Sequence, residues 1–195
     1  MRSFVILSAA CGALACTASA GASGFAGPDV LSALHGTWTS PRVEAWYGGF
    51  GTREFLFADG RWSLIFTHAL DPEMTRRTFQ FRTGGAYRVG APSPAVEGAF
   101  HTVFDEDWKH VTLLTDVPEV VAGMGMAACG LVPNLEVDIS LTGCASWAPV
   151  SVCGEDHDLL ALGPDGLHFG VRPADNDLCT ADRTPTALLP AVVAR

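Results

Sequence analysis

The chain has 195 residues, of which 48% are hydrophobic and only 17% charged, and its 21 acidic against 12 basic side chains give a net charge of −9. That apolar content excludes a disordered chain, and an acidic balance without any Lys/Arg cluster excludes a nucleic-acid binder. The length suits one domain with a sizeable core.

The first residues read "MRSFVILSAACGALACTASA". One base (Arg2), an apolar run from Phe4 to Ala15 and a small-residue "ASA" before Gly21 follow the order of a signal peptide over residues 1–20. The apolar run is too short to anchor the protein across a bilayer. The alternative is lipoprotein processing at Cys16, because "ALAC" is a degenerate lipobox, and only then is the protein membrane-tethered. Either route exports the domain, to the periplasm or the medium. Four cysteines follow, Cys129, Cys144, Cys153 and Cys179, with no C-x-x-C spacing, so disulfides are expected and zinc or redox chemistry is not. Three pairings are possible. Only "ASWAPVSV" separates Cys144 from Cys153, a length that suits a tight β-loop, so Cys144–Cys153 is the expected bridge, leaving Cys129–Cys179.

Residues 21–33 are small and polar, a flexible lead-in in which "DVLSALHG" can form one helical turn. A single β domain is expected over 34–195. "REFLF", "RWSLIFTH", "TRRTFQFRT", "GAYRV", "GAFHTVFDE" and "KHVTLLT" are short runs rich in aromatic and β-branched residues. Turn signals separate them: Asp59-Gly60, Gly84-Gly85 and "PSP" at 92–94. Asp59-Gly60 is the strongest hairpin signal, since a tight primed turn needs residues that tolerate positive φ. "DVPEVVAGMGMAACG" (116–130) breaks the pattern and predicts a short helix, with Met124 and Met126 as packing residues. Strands resume with "LEVDISL", and "DHDLLALGPDGLHFGVR" predicts a second hairpin. The fold class is all-β and antiparallel, with eight or so strands and one short helix. A closed or half-open barrel, or a sandwich, would hide its edges.

Period-two alternation places large rings on shared faces. Phe55 and Phe57 share one, Trp62, Leu64 and Phe66 another, Phe79 and Phe81 a third, and Trp46 ends the first strand. Such a wall is either an ordinary packed core or the lining of a cavity for one apolar molecule.

Gly36-x-Trp38 at the first strand resembles the start of the lipocalins, with the Gly letting the backbone pass closely and the Trp plugging the closed end of a barrel. That resemblance implies a late arginine over the Trp ring, Arg183 in preference to Arg172. A wider pattern is similar to the APC down-regulated (APCDD) domain family. It comprises "LHGTWTSPRVE", "TREFLFADGRWSLIFTHALDP", "LLALGPDGLHFG" and "CTADRTPTALLPAVV", within residues 34–193. Family members usually carry Cys where this chain has Val43 and Met74, a joint departure that fits the loss of one bridge. The resemblance implies a lipocalin-like module that holds a lipid or acyl chain and, by extension, a lipid-modified protein. The animal members' role against lipid-modified Wnt signals does not transfer to a short chain with a bacterial-style leader.

No catalytic residues, metal or cofactor are expected. There is no G-x-S-x-G, and Ser, His and Asp are scattered. "CGEDHD" (153–158) reads as a polar turn and "DEDWKH" (105–110) as a solvated one. The six histidines include no H-x-x-x-H pair, and His68 and His101 read as satisfied or surface side chains in preference to haem ligands. Two functional expectations stand: an exported binding protein for a hydrophobic small molecule or lipid, and an envelope structural or interaction module with a solid core.

Overall fold

The computed structural model describes residues 24–195. The leader, its cleavage site and Cys16 lie outside the described residues.

A nearly closed antiparallel barrel forms from β1 (Gly36–Thr39), β2 (Glu44–Trp46), β3 (Gly49–Ala58), β4 (Arg61–Ala69), β5 (Arg77–Pro92), β6 (Phe100–Asp105), β7 (Trp108–Leu113), β8 (Glu136–Asp138), β9 (Glu155–Gly163), β10 (Gly166–Phe169) and β11 (Val193–Ala194). The strand path is β10-β9-β6-β5-β4-β3-β1-β11, with β2 on β3 and β7 between β5 and β8. The tail completes the ring. Ala194 pairs with Trp38 of β1, and one step earlier Val192 exchanges both backbone hydrogen bonds with Leu167 of β10, at 2.8 and 2.9 Å. Joining the two sheet edges through one short segment removes most unpaired edge groups.

Local chemistry explains most of the elements. Asp59 and Gly60 both have positive φ, the conformation a two-residue primed turn requires, and Ala58 pairs with Arg61 across it. The second expected hairpin turns at Pro164-Asp165, with Gly163 opposite Gly166. Two short helices form where one was expected, α1 (Pro28–Ser32) and α2 (Pro118–Gly123), each with Pro at its first turn.

Two expectations about the chain path are corrected. Gly84-Gly85 is not a turn. β5 runs through it as one 16-residue strand, its first half pairing with β7 and its second with β6. The glycines are there for contact: a Cβ on Gly84 would lie 2.6 Å from the Trp62 carbonyl oxygen and one on Gly85 2.2 Å from that of Asp105. The lead-in is not flexible where it is described. Leu31 is fully buried and Leu34 nearly so, and the Tyr87 hydroxyl donates to the Leu31 carbonyl at 2.9 Å. α1 therefore packs against Phe57, Tyr87, Leu160, Leu167 and Val192, filling one end of the barrel with a solid cluster.

Candidate functional site

The other part of the barrel interior holds a cavity of about 360 Å³. Six residues of the expected ring wall line it: Trp46, Phe55, Trp62, Leu64, Phe66 and Phe81. Phe104 and Phe169 complete the apolar side, with Phe169 stacked on Phe55 at 3.9 Å and Phe104 edge-on to Trp62 at 4.8 Å. Trp147, from the loop before β9, stacks on Phe81 at 4.7 Å. The remaining two expected wall residues lie elsewhere. Phe57 is fully buried in the solid end cluster, edge-on to Tyr87 at 5.1 Å. Phe79 stacks on His68 at 5.1 Å. Both keep the expected face, but their height along the barrel puts them beyond the cavity.

Charged groups build the opposite side. On β9, Asp156 and Asp158 point inward in phase with Leu160, the alternation that any strand imposes. Asp158 Oδ1 accepts the backbone N–H groups of Leu159 (2.7 Å) and Gly170 (2.9 Å). Arg172 donates from Nη1 to Asp156 Oδ2 at 2.7 Å and from Nε to Asn176 Oδ1 at 2.6 Å, where the Tyr47 hydroxyl also donates, at 2.7 Å. At the corner between β6 and β7, Glu106 and Lys109 are buried and 2.7 Å apart. Lys109 also donates to the carbonyls of Ala148 (3.1 Å) and Cys153 (2.7 Å). Burial pushes the Glu106 carboxyl up to about 7, reinforced by Asp156 and opposed by Lys109 and Arg172. Burial also pushes Asp158 up to about 7, against the pull of Arg172 and two backbone amides. Burial works against the Arg172 charge, but Asp156, Tyr47 and Asp158 outweigh it and raise its pKa.

A second buried pair borders the cavity. Arg53 grips Glu44 with Nε (3.0 Å) and Nη2 (2.8 Å), and Nη2 reaches the Pro190 carbonyl at 2.8 Å. Trp46 donates its indole N–H to Glu44 at 2.9 Å, and the Arg53 guanidinium lies 5.7 Å from the Trp46 ring centroid. The expected cation over Trp38 is not Arg183; arginines lie instead over Trp46 (Arg53) and over Trp108 (Arg82, 5.8 Å). Arg183 instead binds Asp175 at 2.6 Å on the surface. Trp38 is only half-buried beside the solid cluster, and α1 does the plugging. A Cβ on Gly36 would meet nothing within 4 Å; its φ of +89° is what calls for glycine, not a close approach.

The disulfides are corrected too. Cys129 joins Cys144 and Cys153 joins Cys179. The expected Cys144–Cys153 loop is instead closed by its own backbone: Cys144 and Trp147 exchange hydrogen bonds at 2.8 and 2.9 Å, which turns Trp147 toward Phe81. Cys153–Cys179 then ties the loop before β9 to the loop after β10, and both half-cystines line the cavity.

Arg53, Asp156 and Asp158 were within reach of the alternation rule, since Arg53-x-Phe55 and Asp158-x-Leu160 share a face. Lys109 was within the same reach, since Lys109-x-Val111-x-Leu113 share the inward face of β7, whereas Glu106 carried no such signal because it lies at the corner between β6 and β7. His68 is buried and satisfied, its ring nitrogens 2.7 Å from Thr78 Oγ1 and 3.1 Å from the Trp46 carbonyl, and burial lowers its pKa.

Compared with known protein families and with curated proteins, the sequence matches none of either.

Proposed function

We propose that the protein is an exported binding protein that holds a hydrophobic small molecule or lipid inside its barrel. The carrying observation is the ring-walled cavity of about 360 Å³. Ligand sites are concave, mostly apolar and hold a few placed polar groups, with volumes of roughly 300–1,000 Å³. Two disulfides fit an oxidising compartment, as does the leader. The resemblance to the APCDD family supports the same reading, and its segments are those that form β1, the two hairpins and the closing tail.

Two measurements test the proposal. Titration with the neutral apolar dye N-phenylnaphthylamine should give saturable enhancement at one site per chain, and an organic extract of freshly purified protein should yield one recurring hydrophobic species by mass spectrometry. No saturable binding and an empty extract would leave an envelope module without a ligand. N-terminal sequencing of exported protein should begin at Gly21; a lipid-blocked Cys16 terminus would make the protein membrane-tethered.

A further inference from the structure

The cavity is two-sided, and its charged side bears on the kind of head group that a bound amphiphile carries. Building on the container reading, we propose that the cavity receives a cationic amphiphile, an ammonium-type head group on a hydrocarbon or aromatic body, and disfavours a fatty acid.

Three buried carboxylates line the cavity, Glu106, Asp156 and Asp158, each about 5% exposed, beside the more exposed Asp177. Among the described residues each has one oxygen engaged: Glu106 Oε2 by Lys109, Asp156 Oδ2 by Arg172, and Asp158 Oδ1 by two backbone amides. The second oxygen of each accepts no hydrogen bond from a described residue, and none of the three is sealed from solvent. They are acceptors with one free oxygen each in a cavity whose opposite wall is built of rings. The cations, by contrast, are already committed. The Lys109 ammonium has three N–H donors, and Glu106, Ala148 and Cys153 take them. Arg172 is ion-paired with Asp156 and gives three of its five N–H donors to Asp156 and Asn176. Arg53 is matched by Glu44, and its unpartnered Nη1 is sealed from solvent.

A ligand carboxylate would therefore enter beside Glu106, Asp156 and Asp158, where each lining cation is already ion-paired with a carboxylate of the chain. An ammonium would make charge-assisted hydrogen bonds to acceptors already in place. Trp62, which lines the cavity, adds an aromatic ring of the kind that attracts a cation.

Protonation gives the proposal a second signature. Glu106, pushed to about 7, faces Lys109, Asp156 and Arg172; Asp158, also about 7, faces Arg172 and Asp156. The Tyr47 hydroxyl and Asp177 lie on the same side of the cavity. Without a ligand these two acids are partly protonated near neutrality. A bound cation favours their ionised forms, so binding releases protons and strengthens as the pH rises.

The test displaces N-phenylnaphthylamine from the full exported protein with decylammonium, decanol and decanoate. At pH 8 decylammonium should bind at least roughly tenfold more tightly than decanoate, the scale of one hydrogen bond to a charged group. Lowering the pH to 6 should weaken decylammonium and leave decanol unchanged. Glu106→Gln and Asp158→Asn, each checked for folding by circular dichroism, should each cost decylammonium roughly tenfold and leave decanol within about threefold. Asn keeps an acceptor for the Leu159 and Gly170 amides, and either variant alone decides the point. Decanoate binding as tightly as decylammonium, or a preference that survives both substitutions, overturns the head-group inference while the container stands. If neither the dye nor any of the three ligands binds, both fall.

Discussion

Phe57 and Phe66 are both buried rings on inward faces of adjacent strands, but only Phe66 borders the cavity. Replacing each with alanine therefore separates packing from lining. Phe57 is fully buried, edge-on to Tyr87 at 5.1 Å and 6.5 Å from Phe55, in a cluster that α1 seals. Its loss combines the transfer energy of the ring with the cost of a void that the barrel end cannot collapse into, about 4 kcal/mol. For a domain of this size that lowers Tm by roughly 8–16 °C. Phe66 meets Trp46 at 5.3 Å and Phe79 at 5.9 Å, but its remaining side faces space that is already unfilled. Phe66→Ala mostly forfeits the transfer energy, about 2 kcal/mol. Urea melts followed by tryptophan fluorescence measure both, with N-phenylnaphthylamine titrations alongside. Phe57→Ala should leave dye affinity within about twofold, while Phe66→Ala should weaken it by roughly fivefold or more, the scale of ring burial lost to the ligand. Equal destabilisation by the two changes, with dye affinity untouched by either, would refute the division of the barrel into a solid end and a binding end.

Non-reducing peptide mapping should recover Cys129–Cys144 and Cys153–Cys179, and removing the second bridge by paired Cys→Ser changes should cost about 3.5 kcal/mol for its 26-residue separation; mixed pairings would overturn the path drawn for the cavity-covering loops. Stability of the ligand-free protein should fall as the pH rises from about 5 to 8. Burial raises Glu106 and Asp158 to about 7, so the folded chain holds protons that the unfolded chain has already released, and their contribution is full below the unfolded values and lost as the pH passes 7. Asp158→Asn should flatten that slope in urea midpoints, and an unchanged slope would show that Asp158 does not titrate there.

Much of the barrel was legible in the sequence because its determinants are local. Period-two alternation assigned the ring faces of β3, β4 and β5, and the residues at 59–60 and 164–166 carried their hairpins in their own backbone preferences. Other features depend on neighbours far along the chain. Gly84-Gly85 reads as a turn until Trp62 and Asp105 crowd against it, and three cysteine pairings are equally allowed until the loops are placed. Charged side chains follow the same rule in part: besides its near neighbour Glu106, Lys109 is met in the interior by carbonyls 39 and 44 residues away, and Arg172 by Asp156. The sequence by itself determined an antiparallel, ring-rich β fold and the faces of its ring-bearing strands. Tertiary structure alone decided that one end is solid, that the other is hollow, and that the hollow carries acids. Burying a charge depends on a partner being brought to it, and only the closed fold supplies that partner.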